Sequence, residues 1–181
     1  MARGDDEAVA ELITLRNTVR TVSSRAGVRV DKWLGDGVML VGVDSEPLVE
    51  AVVTISSRHA RRGRLSLRAG IAGGLVILLE GDDYVGNAVN LAARLSDRAG
   101  PDEILAAEEG LGLPHSVLHG PTADIAVPGF ALPVPVVALS IRPRGRRVLP
   151  LTRLIPGGGQ PPEQPGLPTP ALDRSDREAG A

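Results

Sequence analysis

Cysteine is absent from this chain of 181 residues. That one absence excludes disulfides, thiol nucleophiles and Cys-ligated zinc. Aromatic residues make up only 2%, and Trp33, Tyr84 and Phe130 are all of them. The core must therefore be assembled from Val, Leu, Ile and Ala. An RNA-binding sheet that stacks bases on paired aromatics has no such pair to use. Lysine is scarce too: Lys32 is the sole lysine among 20 fixed cations. Neither sign of charge is in excess, with a formal net charge of -2 and a pI near 5.9. A general nucleic-acid or anionic-membrane binder needs a basic face, so neither partner is expected. No apolar run reaches the ~20 residues that span a bilayer. The opening Met1-Ala2-Arg3-Gly4-Asp5-Asp6-Glu7 is not followed by the apolar stretch of a signal peptide. A cytoplasmic protein is the expectation.

What is present suits one globular domain with a sizeable core, since 43% of the residues are hydrophobic. Residues 5 to 26 carry an amphipathic stripe of Ala8, Leu12, Leu15, Val19 and Val22, widened by Val9 and Ile13. Asp5, Asp6 and Glu7 at its start and Gly27 at its end suit a helix. Val28 to Trp33 alternates as a strand, Gly35-Asp36-Gly37 turns it back, and Val38 to Val43 reads as a second, more buried strand. A second helix is capped by Asp44 or Ser45, with Pro47 in its first turn and Leu48, Val52 and Ile55 on one face. It runs into Arg58-His59-Ala60-Arg61-Arg62-Gly63-Arg64, read as cations solvated at a helix end, with His59 at the surface or the helix end. Strands are expected over Leu65 to Ala72 and Leu75 to Glu80, joined through Gly73-Gly74, then a helix from Gly86 to Arg98. Pro101 to Leu105 reads as a short strand and Ala106 to Gly110 as a helical turn. The last strand, Val136 to Ile141, is entered through Pro133 and Pro135, which suit a strand start or an edge.

From Pro143 onward the character changes. Eight of the 15 prolines lie in residues 143–181, together with Gly157-Gly158-Gly159 and no aromatic residue. Such a composition buries too little apolar surface to offset chain entropy. The expected division is a domain over residues 1–142 and a disordered tail over residues 143–181. Within the domain, the order helix, strand, strand, helix, strand, strand, helix, strand is that of a ferredoxin-like α/β sandwich without its first strand.

Two segments carry chemistry. On the third helix Asn87, Asn90, Arg94 and Asp97 recur at spacings of three, four and three, so they share one face. An amide and a guanidinium one turn apart suit a ribose or a transferring phosphate. A plain solvated face accounts for the pattern equally. On the hairpin, Gly35-Asp36 is an ordinary turn pair, and a single carboxylate makes a weak magnesium site.

Lys32-x-x-Gly35-Asp36-x-x-Met39 resembles a hairpin of the class III adenylate/guanylate cyclase catalytic domain. Arg68-Ala69-Gly70-Ile71-Ala72-Gly73-Gly74 is similar to the strand that follows in that family. Asp83-Tyr84-Val85-Gly86-x-x-Val89-Asn90-x-Ala92-x-Arg94 resembles its Asp-(x)2-Gly-x-x-Val-Asn-x-Ala-x-Arg, the most specific of the matches. Pro101-Asp102-Glu103-Ile104-Leu105 and Val127-Pro128-Gly129-Phe130-Ala131 resemble two later motifs, and the likeness covers roughly residues 5 to 142. It implies that Lys32 and Asp83 read the adenine edge of ATP, that Asn90 orients the ribose, and that Arg94 stabilises charge on the phosphate. It makes Asp36 one of two aspartates on a pair of Mg²⁺ or Mn²⁺ ions. The implied product is 3′,5′-cyclic AMP with pyrophosphate, formed at sites shared between two chains of a homodimer or with another cyclase-domain chain. The family's first strand, Phe-x-Asp-(Leu/Ile)-x-Gly-Phe-Thr, supplies the other metal aspartate. Nothing like it precedes Gly4-Asp5-Asp6-Glu7, and Asp5 and Asp6 lie at the wrong place to substitute. Pro128 also stands where the family often has lysine. The expectation is thus an adenylate cyclase-type protein. The alternative is a catalytically silent cyclase-homology module acting as a dimer partner or regulator.

Overall fold

The computed structural model describes residues 3–61, 65–80 and 83–141. The expected tail over residues 143–181 and the end of the arginine cluster, Arg62 to Arg64, lie outside the described residues. The chain runs α1 (Arg3–Ala26), β1 (Arg29–Leu34), β2 (Gly37–Val41), α2 (Ser45–Ala60), β3 (Ala69–Ile71), β4 (Ile77–Leu79) and β5 (Asp83–Val85). It continues as α3 (Asn87–Arg98), β6 (Ile104–Ala107), β7 (Val117–His119), β8 (Ala123–Ile125) and β9 (Val134–Ile141).

Three sheets result. β1 and β2 form the antiparallel hairpin that the Gly35-Asp36 turn calls for, with Leu34 opposite Gly37 and Gly35 at φ 64. The first central position of a two-residue hairpin turn favours such a left-handed residue. The main sheet has the order β3-β6-β9-β7, with β8 also on β9. β3 and β6 are parallel, so the chain between them has to cross over, and α3 makes the crossover. β4 and β5 form a separate antiparallel ribbon.

The layers are tied together by α2, which is buried on two sides. Val49 and Val53 pack on Ile71, Ile104, Val137 and Leu139 of the main sheet. Ala51 and Ile55 pack with Leu15, Val19 and Val22 of α1 and with Val28. α3 lies directly on β3, and Gly70 is what permits it. A Cβ there would stand 2.0 Å from the Ala92 carbonyl oxygen. α2 thus covers both the hairpin and the main sheet, yet β2 and β3 share no ladder. Each keeps an edge without a strand partner among the described residues, which is where the sandwich expected from the sequence lacks its strand.

Several expectations need correction. The buried stripe of α1 is confined to Leu15, Val19, Val22 and Ser23, and Val9 and Ile13 are exposed because α2 and the hairpin reach only its second half. The strands around Gly73-Gly74 do not pair with each other: β3 joins β6, while β4 turns back on the unforeseen β5. Ala106 and Ala107 belong to a fully buried strand, not a helical turn. Pro135 sits at the start of β9, as expected, although that strand is paired on both sides. The buried side of α3 is Ala88 and Leu95, with Val89 and Ala92 half-buried beside them.

Candidate nucleotide site

Lys32 and Asp83 stand 51 positions apart in the chain and meet in space: the ammonium donates to Asp83 Oδ1. One comes from the hairpin and the other from the first residue of β5. A second contact joins the same two elements, with the Arg29 guanidinium 5.8 Å from the centre of the Tyr84 ring. The hydrogen bond that Lys32 donates to Asp83 is the main reason that its ammonium titrates above the ordinary 10.5, with the charges of Asp83 and Asp31 adding to it. A raised lysine contributes its full stabilisation below its unfolded value and loses it only as pH climbs through the higher folded value. The pair is therefore intact across neutral pH.

The remaining predicted residues make no polar contact with this pair. Asn90 and Arg94 are both exposed, one turn apart on α3. Asn87 and Asp97 share their exposed face, as the spacing requires. The helix begins just after β5, so its first turn starts four residues beyond Asp83. Asp36 is exposed at the hairpin turn. Among the described residues none of Asn90, Arg94 and Asp36 makes a side-chain hydrogen bond or an ion pair.

The hairpin turn is braced from α1. The Arg16 guanidinium lies 4.8 Å from the centre of the Trp33 ring and donates to the Gly35 carbonyl at 3.5 Å. Sequence reasoning missed Arg16, because nothing local says which residue of a helix face meets a turn 19 positions on. It also missed Asp31. Strand alternation would put Asp31 and Lys32 on opposite faces, but the β1–β2 register shifts between Val30 and Lys32. Such a bulge is not readable from residue types.

A metal site is not complete here. Among the described residues no group of three or more His, Asp or Glu side chains could hold an ion. Asp36 alone does not fit a two-ion site.

The arginine-rich end of α2 is also not a phosphate site in its described part. Arg58 and His59 line a cleft with Thr14, Asn17, Thr18 and Thr21 of α1. The three threonine hydroxyls donate to the carbonyls of Ala10, Thr14 and Asn17, four residues back, which leaves them only acceptors to offer. His59, expected at the surface, is 3% exposed. It turns inward as α2 packs on α1.

No family model matches the chain. An uncharacterized protein of Mycobacterium tuberculosis (strain ATCC 25618 / H37Rv) is 44% identical over 124 residues, 66% of this chain and 32% of that protein. The pH-sensitive adenylate cyclase of Mycobacterium tuberculosis (strain CDC 1551 / Oshkosh) is 36% identical over 85 residues, 45% of this chain and 21% of that protein. The chain spans at most about a third of the length of these curated relatives. Among solved structures, an adenylate cyclase of Trypanosoma brucei in its monomeric state matches with a TM-score of 0.63 at 19% identity, over 81% of this chain and 85% of that one. The chain has the fold of the class III adenylate/guanylate cyclase domain. In this cyclase fold, the hairpin and the β4–β5 ribbon bring Lys32 and Asp83 into contact. No helix among the described residues is long and apolar enough to cross a membrane.

Proposed function

We propose that the chain is the nucleotide-recognising part of an adenylate cyclase-type site and binds ATP. The observation that carries this reading is the Lys32–Asp83 pair. It is a donor and an acceptor side by side, as the adenine edge, with a ring nitrogen acceptor and an amine donor, requires. The name of the mycobacterial adenylate cyclase relative supports the same base. Asn90 and Arg94, free on the adjacent helix, are available to the ribose and the phosphates. Asp36 gives one carboxylate to a Mg²⁺ or Mn²⁺ site whose other ligands come from another segment or chain.

A second copy is the partner the surface favours. β4 is apolar on both faces and uncovered: Ile77 is 65% exposed, Leu78 51% and Leu79 48%, with Leu75 just before it at 97%. A two-stranded ribbon is marginal in water without a surface to rest on, and contiguous apolar patches mark interfaces. The ribbon carries Asp83, so covering it brings a second chain to the rim of the nucleotide site. The silent-module reading is favoured by a different observation: among the described residues no group of three or more His, Asp or Glu side chains forms around Asp36. It predicts ATP binding without turnover in any pairing.

The test mixes this chain with a cyclase domain that has its complete carboxylate pair but lacks the asparagine and arginine, in Mn²⁺ and ATP. The chain alone should make little cyclic AMP and the mixture should make it readily. Arg94→Ala in this chain should then slow the mixture by about 10²–10³, as for the loss of a preorganised transition-state donor. Robust turnover by the chain alone would contradict the composite site. An inactive mixture that still binds ATP would establish the silent module instead.

A further inference from the structure

We propose that Asp31 is the second counter-ion of Lys32, a positioning residue that keeps the ammonium in place when Asp83 turns to a nucleobase. This rests on the nucleotide reading of Lys32 and Asp83. The geometry begins with the β-bulge at Val30/Lys32. Asp31 is the extra residue there, and its side chain is 1% exposed while that of Lys32 is 34% exposed. Asp31 Oδ2 lies 3.5 Å from Lys32 Nζ and makes no hydrogen bond. A carboxylate so deeply placed is costly unless a charge stands beside it, and here that charge is the ammonium.

The pair as it stands is closed. Lys32 and Asp83 satisfy each other, so neither can read a base until they separate. Asp83 is the side free to move, because its side chain is 55% exposed and Asp31 is enclosed. When Asp83 releases its hydrogen bond, Asp31 is the counter-charge that remains beside the ammonium among the described residues, 3.5 Å away. With Asp31 in place, Lys32 stays charged and held on the hairpin while Asp83 accepts from the exocyclic amine. Without it, Lys32 holds Asp83 more tightly and the base has to break a stronger pair. Asp31 thus favours a ligand that needs both groups, which adenine does and guanine does not.

The experiment uses the 181-residue chain with its amines ¹³C-dimethylated, since Lys32 gives the single lysine signal. In Asp83→Asn, Lys32 should still titrate above ordinary lysine, and adding Asp31→Asn should return it to the ordinary range. A return to the ordinary range in Asp83→Asn alone would overturn the proposal, and that variant changes an exposed side chain, so it does not depend on Asp31→Asn folding. In parallel, Asp31→Asn should lower the ratio of ATP to GTP affinity by about tenfold, the scale of a lost charged hydrogen-bond partner. An unchanged ratio in a chain that prefers ATP would overturn it as well. If the unaltered chain binds neither nucleotide, the nucleotide reading fails, and the lysine titration still decides whether Asp31 holds Lys32.

Discussion

Gly70→Ala should loosen α3 from the sheet and weaken the nucleotide site without touching any residue proposed to contact ATP. The added Cβ would lie 2.0 Å from the Ala92 carbonyl oxygen, 2.4 Å from the Ser96 nitrogen and 2.9 Å from Leu95 Cβ. All three belong to α3, and two are backbone atoms that no rotamer change can move aside. An ordinary carbon–oxygen approach of about 3.3 Å requires the helix to lift by roughly 1.3 Å. Overpacking of this kind costs typically 1–3 kcal/mol, and a rigid backbone contact belongs at or above the top of that range. At about 2–4 °C per kcal/mol the melting temperature should fall by roughly 10 °C. The helix carries Asn90 and Arg94, so ATP affinity measured well below the transition should fall too. Urea unfolding and equilibrium nucleotide binding on the same preparation test both halves. Wild-type stability together with wild-type binding would show that α3 does not sit on β3 at this distance, and the placement of Asn90 and Arg94 would go with it.

Two further predictions concern the interior and the ribbon. His59 is buried with Nε2 lacking a hydrogen-bond partner, so His59→Leu should leave the urea midpoint unchanged or raise it, since removing an unsatisfied polar group costs little; a loss above about 2 kcal/mol would mean that the ring is bonded after all. The double change Ile77→Asp and Leu78→Glu, at two exposed apolar positions of β4, should leave the circular dichroism spectrum intact and convert any dimer seen by sedimentation to monomer; persistence of the dimer would place the interface elsewhere.

Much of this molecule was legible from its residues, and the failures have physical causes. The Gly35-Asp36 turn, the helical face of Asn87, Asn90, Arg94 and Asp97, and the meeting of Lys32 with Asp83 follow from local rules or from the family resemblance. β4 falls within the strand expected over Leu75 to Glu80, while its partner β5 and the exposure of Leu75, Ile77 and Leu78 were missed. Apolar composition signals burial only when the covering surface is part of the same chain. β7 and β8 escaped because three-residue strands have no periodicity to detect. His59 was placed outside by a rule about helix ends that takes no account of α1 packing across them. Asp31 needed a bulge, which is a property of the pairing and not of either strand alone.

The central claim is that Lys32 and Asp83 together read adenine, and the most direct measurement is equilibrium binding of ATP and GTP to the chain. Trp33, the single tryptophan and the immediate neighbour of Lys32, is the natural fluorescence reporter. ATP should bind tighter than GTP, because a site built for one hydrogen-bond pattern leaves buried polar groups unpaired with the other. Exchanging Lys32→Glu together with Asp83→Ala should erode that preference. Equal affinity for both nucleotides in the unaltered chain would contradict the account, whatever the fold.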